Sequence, residues 1–150
     1  MYTKAELSRI RSDFWTRFGQ YMSPVPSAGG DRVNWVNYKT GVRPIRFTMD
    51  FTKQSAEVWV EITITETDKR KLLFHTFSSL WQQSYPSADW ISFEETVKDN
   101  RLMSAFKSSL DTADIFQQET WPDAIAFLKK RITLLDKFWS EHRETFEMLV

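Results

Sequence analysis

Asp50, Glu57 and Glu61 fall within MDFTKQSAEVWVE, residues 49–61, two alternating runs joined by a polar turn. Alternation carries every second side chain to one face of a strand, so a hairpin here gathers all three carboxylates on one side. Acids grouped this way suit a hard cation such as Mg²⁺, which takes one or two carboxylates plus water and can activate that water for hydrolysis. They suit the wet side of a sheet equally well. Pairing Phe51 with Ala56 sets Ile45, Phe47, Met49 and Phe51 against Ile62, Val60, Val58 and Ala56. A slip of one residue would expose that whole apolar set, so the register is strongly specified. It places Arg46 opposite Glu61, Thr48 opposite Trp59 and Asp50 opposite Glu57. The first is a complementary pair worth about 0.2–1 kcal/mol, whereas the last sets like charges face to face and asks for a cation, a proton or water.

Two uses of this face follow. In the first, Asp50, Glu57 and Glu61 are catalytic groups, with Asp50 and Glu57 holding Mg²⁺. In the second, which the remaining features favour, no cofactor is needed and Trp35, Arg46, Trp59 and Glu61 form a ligand or partner face, flanked by the loop at 23–31.

The elements that must position these residues are legible in varying degree. Thr3 and Glu6 form a capping box, and Leu7, Ile10, Phe14, Phe18 and Tyr21 recur at helical spacing until Pro24 and Pro26 end the run. SPVPSAGGD, residues 23–31, is the one linker-like stretch and reads as a loop able to act as a flap. Three strands are expected at 33–39, 43–51 and 55–64, the first pair joined at Gly41 and the second across TKQS. The first of these strands carries Trp35 beside Arg46. A second helix is expected over about 68–85, capped by Thr67, lined by Leu73, Phe77, Leu80 and Trp81, and stopped by Pro86. A hairpin around KDNR, 90–97 with 102–110, comes next. Thr120 and Pro122 then open a long last helix with Ile125, Leu128, Ile132, Leu135, Trp139 and Phe146 on one stripe. The order αβββαββα predicts an α+β fold, a mainly antiparallel sheet packed on one face by helices.

Composition bounds the rest. A chain of 150 residues fits one domain and buries roughly 68–70% of its unfolded surface. Twenty basic and twenty acidic residues cancel, so no global field draws the protein to nucleic acid or an anionic membrane. The sequence has no cysteine and no apolar run of membrane-spanning length, which fits a soluble, cytoplasmic protein without disulfides or thiolate chemistry. HExxH, GxSxG, P-loop and dinucleotide fingerprints are absent. Two basic clusters, Lys69-Arg70-Lys71 and Lys129-Lys130-Arg131, offer phosphate contacts beside a stacking tryptophan if they face out. With 12 Phe, 7 Trp and 4 Tyr, some aromatics should line a surface or a subunit contact, and the last helix predicts a homodimer.

The αβββαβ part of the order resembles the PD-(D/E)XK nuclease superfamily, which implies an acid on the second strand and acid-x-lysine on the third. Here Glu57-Val58-Trp59 and Glu61-Ile62-Thr63 lack the lysine. FWTRFGQYMSPVPSAGG, VNWVNYKTGVRPIRFTMDF, VWVEIT and ETWPDAIAFLKKRITLLDKFW together resemble an uncharacterised bacterial domain-of-unknown-function family, whose members stand alone or follow nuclease-like regions. The likeness rests on Trp15, Phe18, Trp35, Tyr38, Gly41, Trp121, Pro122, Phe138 and Trp139. It implies a fold unit and a defence or nucleic-acid context, and it transfers no catalytic residue; the partner expected is an unknown protein or nucleic acid. The reading reached is a non-catalytic binding module, with a metal-dependent nuclease or a nucleic-acid-binding accessory domain as alternatives.

Overall fold

A computed structural model describes residues 2–85 and 89–150. α1 (Lys4–Met22) begins where Thr3 accepts the Glu6 backbone N–H, as its capping box predicts. Phe14, Phe18 and Met22 are its buried side, while Tyr21, expected there, is half-exposed and lies under the Lys129 ammonium. β1 (Ile45–Phe51) and β2 (Ala56–Ile62) follow, then α2 (Thr67–Ser84), β3 (Ile91–Lys98), β4 (Arg101–Leu110), a short 3₁₀ turn and α3 (Trp121–Leu149). The sheet order is β1-β2-β4-β3 and every neighbouring pair is antiparallel. The architecture is α+β as expected, with helices on one face and a long C-terminal helix.

β1 and β2 pair in the register that burial dictates, from Ile45 with Ile62 through to Phe51 with Ala56. Their inner face meets Phe14, Phe77, Leu128, Ile132, Trp139 and other helix residues in one continuous core. The second hairpin also forms, around a two-residue turn in which Asp99 and Asn100 both have positive φ. That geometry matches the right-handed twist of the strands it joins. β3 carries a bulge between Phe93 and Thr96, and the Ser104 hydroxyl donates to the Glu94 carbonyl that the bulge leaves outside the ladder.

Two expectations change. Residues 33–39 form no strand, because the Asn34 side chain accepts the Asn37 N–H and turns the chain. Residues 36–39 instead run beside Arg46 to Met49 across a groove of about 320 Å³. Thr67 opens α2 without capping it; Glu66 holds the cap position and makes no side-chain bond to the helix. Thr120 holds the cap position of α3 as expected but makes no side-chain bond to the helix, its hydroxyl turning back to the Asp114 and Gln117 carbonyls. The expected stop at Pro86 lies outside the described residues. Among those described, no helix is long and apolar enough to cross a membrane.

The loop between α1 and β1 is tied down from several points. Asp136 on α3, only 5% exposed, accepts the Tyr38 hydroxyl and the Ala28 N–H, each at 2.6 Å. Trp35 Nε1 donates to the Val25 carbonyl at 2.9 Å, and Trp139 Nε1 to the Thr40 carbonyl at 2.7 Å. Burial and the Asp136 carboxylate both push the Tyr38 phenol far above its ordinary range, so Tyr38 is a fixed proton donor in this contact.

Candidate functional site

The outer face of the sheet, opposite the helices, holds the acids singled out in the sequence. Arg46 faces Glu61, Thr48 faces Trp59 and Asp50 faces Glu57, as the alternation requires. An added residue transforms the cluster. Lys98, the last residue of β3, brings its Nζ to 2.7 Å from Glu61 Oε2 and 3.4 Å from Asp50 Oδ2. It reaches there although β4 lies between β3 and β2, helped by the bulge that bends the edge strand. The same ammonium lies 5.1 Å from the Trp59 ring centroid, within cation–π range.

Each carboxylate has its own partners. Glu61 is almost fully buried, its side chain 3% exposed. Oε2 accepts Lys98 and the Thr48 hydroxyl, while Arg46 stands 3.7 Å from Oε1. Glu57 is drawn away from Asp50, since Ser55 Oγ donates to one oxygen at 2.7 Å and Trp59 Nε1 to the other at 2.8 Å. Asp50 is left with Lys98. Burial raises the Asp50 pKa, Lys98 opposes the rise, and the charges of Glu57 and Glu61 add to it. For Lys98, burial acts to lower the pKa. The hydrogen bond to Glu61 and the charges of Asp50, Glu61 and Asp99 outweigh that, so it stands above the ordinary lysine range.

This donor set does not fit Mg²⁺, which keeps several waters around one or two carboxylates. Glu61 is shut from water, and both Glu57 oxygens are already hydrogen-bonded. Among the described residues no group of three His, Cys, Asp or Glu side chains converges as metal ligands. The acids also sit on the first two strands of the sheet instead of the second and third, because 33–39 forms none.

The expected binding face is partly reassigned. Arg46 and Trp59 lie on it, and Glu61 lies beneath it. Trp35 does not: it is 3% exposed and packs inside the loop near Tyr38. The loop at 23–31, expected at its flank, is fastened to α3 through Ala28 instead. In place of Trp35 the edge strand contributes Phe93, stacked on Trp59 with ring centroids 6.1 Å apart, and Ile91, which is 55% exposed. Lys107 on β4 stands beside the same indole, 5.4 Å from its centroid. Ile91 and Phe93 occupy alternate positions in the pattern of β3, the signal that would have placed them together.

The two basic clusters disperse. Arg70 turns inward, 2% exposed, to donate to the Ile64 and Thr65 carbonyls. Arg131 binds Ser108 and Asp89 and stacks on Phe127, while Lys129 covers Tyr21. The aromatics of α3 that pointed to a subunit contact, Trp121, Phe138, Trp139 and Phe146, are buried within their own chain.

A family model described as Domain of unknown function (DUF4268) matches residues 10–143, and the chain belongs to that family. No curated protein and no solved structure matches it.

Proposed function

We propose that this DUF4268 domain is a non-catalytic binding module whose partner, protein or nucleic acid, docks on the outer sheet face. The observation that carries this reading is the stacked Trp59–Phe93 pair on the side of the sheet opposite the helices. Ile91 extends that apolar centre, and Arg46 and Lys107 supply a charged rim. A desolvated aromatic centre with polar surroundings is the usual anatomy of an interface. Beneath it, the Glu61–Lys98 ion pair acts as a rigid support for the face.

A photo-crosslinking amino acid at position 107, with position 83 on the exposed side of α2 as control, tests the surface in cells. A discrete adduct from position 107 alone supports the face, and an adduct of twice the chain mass identifies the partner as a second copy. Adducts from both positions equally, or from neither, remove the proposal. Titration with Mg²⁺ and Mn²⁺ and cleavage assays on single- and double-stranded DNA give the converse arm: the expected result is no cleavage, and cleavage abolished by Asp50→Ala would make the domain a nuclease.

A further inference from the structure

Beside the outer face, near the C-terminal end of α3, Arg43, Arg46 and Arg101 line a cleft of about 730 Å³. They come from the loop before β1, from β1 itself and from the first residue of β4. Tertiary structure, not a basic run of sequence, brings them to one cavity. Their charge is under-compensated. Arg46 has Glu61 at 3.7 Å, but Lys98 already binds that carboxylate at 2.7 Å. Glu147, on the rim, is held by Arg143 at 3.0 Å. Among the described residues, the ion pairs of the outer face and of α3 include neither Arg43 nor Arg101. Val150 and its carboxylate also line the cleft, but among the described residues neither that carboxylate nor Glu147 is ion-paired with Arg43 or Arg101, and the carbonyls at the end of α3 add only about half an elementary charge against three guanidiniums. A protein with no net charge has therefore concentrated positive charge in one concavity.

We propose that this cleft binds a phosphate-bearing ligand of about nucleotide size. Guanidinium is the side chain whose planar fork matches two phosphate oxygens at once, and three of them around one cavity can hold a dianion from several sides. Val42, Pro44 and Ile64 provide an apolar wall for the uncharged part of such a ligand. The cavity lies within the roughly 300–1,000 Å³ typical of small-molecule sites. The phosphate can belong to a free nucleotide or to the backbone of a single strand, since both present the same ester anion.

This assignment deepens the binding-module reading by naming a ligand class, and it shares only Arg46 with the face described above. Calorimetric titration of the full chain with pyrophosphate, ADP and a short oligothymidylate, at low and high salt, tests it. The expected result is binding that weakens about tenfold or more in Arg43→Ala/Arg101→Ala, whose two positions are exposed. Oligothymidylate binding more tightly than ADP, with a steep loss in salt, assigns the phosphate to a strand. ADP binding as tightly or more so assigns it to a free nucleotide. No binding of any of the three, or unchanged affinity in the double variant with an unchanged unfolding midpoint, overturns the assignment. The variants leave Trp59, Phe93 and Lys107 in place, so a failed titration removes the cleft alone and a failed crosslink at position 107 removes the outer face alone.

Discussion

Lys98 Nζ lies 2.7 Å from Glu61 Oε2, joining the tip of the β3–β4 hairpin to a strand that is not its neighbour in the sheet. The pair is a clamp across the outer face, and its two halves are unequally buried. Removing Lys98 leaves the buried Glu61 carboxylate with the neutral Thr48 hydroxyl and, as a cation, only the more distant Arg46, whereas removing Glu61 leaves Lys98 beside Asp50 and Asp99. Lys98→Met should therefore cost about 3–5 kcal/mol, the penalty of an uncompensated buried charge. Glu61→Gln should cost less, about 1–3 kcal/mol. Urea unfolding of both variants and of the double variant measures the coupling; equal costs for the two single changes would refute the asymmetry.

Asp136 gives a second clamp, at the opposite side of the core. Its carboxylate holds the Tyr38 hydroxyl and the Ala28 N–H, so one side chain fixes two separate points of a long loop to α3. Tyr38→Phe removes one charge-assisted bond and should cost about 1.5–3 kcal/mol. Asp136→Asn should in addition speed backbone amide exchange across residues 25–40 while the strands keep their protection. Exchange rates unaltered in that segment would show that the loop is held by Trp35 and Trp139 alone.

These two clamps mark where sequence reasoning stops. The β1–β2 register was readable to the residue because one face is buried, and any slip would expose Phe47, Val58 and Val60 together. Lys98 was not readable as their partner, because the contact depends on a bulge and on the position of an edge strand relative to a strand it does not pair with. Asp136 interrupts the apolar stripe of α3 between Ile132 and Trp139, but nothing local reveals that a loop nearly a hundred residues earlier descends on it. Trp35 misled for the opposite reason. VNWVNY is rich in the β-branched and aromatic residues that strands favour, yet the Asn34 side chain closes a turn before any ladder can form. Arg70 likewise reads as part of a basic surface run, though the carbonyls ending the loop after β2 draw it inside.

The two tryptophans first grouped on one surface should respond differently to truncation. Trp35 is buried and bonded to Val25, so Trp35→Ala should cost about 3–5 kcal/mol, as large-to-small core changes do. Trp59 is only partly buried, and its indole N–H serves Glu57 on the outer face. Trp59→Ala should cost less than about 2 kcal/mol and leave a cooperative transition. Thermal and urea unfolding decide between them, and a Trp59→Ala chain that fails to fold would place this indole in the core.

Proton linkage separates the two groups that meet at Lys98. The Lys98 pKa is raised in the folded protein, so its contribution is fully present below its ordinary value of 10.5 and is lost as pH climbs through the higher folded value. Lys98→Met should lack that alkaline loss. Asp50 is also raised, but for an acid the sign reverses. Ionised Asp50 is less favourable in the folded chain than in the unfolded one, so it costs stability above its folded pKa. The cost fades as pH falls toward the ordinary 3.8. Asp50→Asn should thus be more stable than the native sequence at pH 7, with the gap closing as the acid titrates. Urea midpoints for both chains across the acid range test this, and an Asn variant less stable at neutral pH would mean that Asp50 is held mainly by its attraction to Lys98.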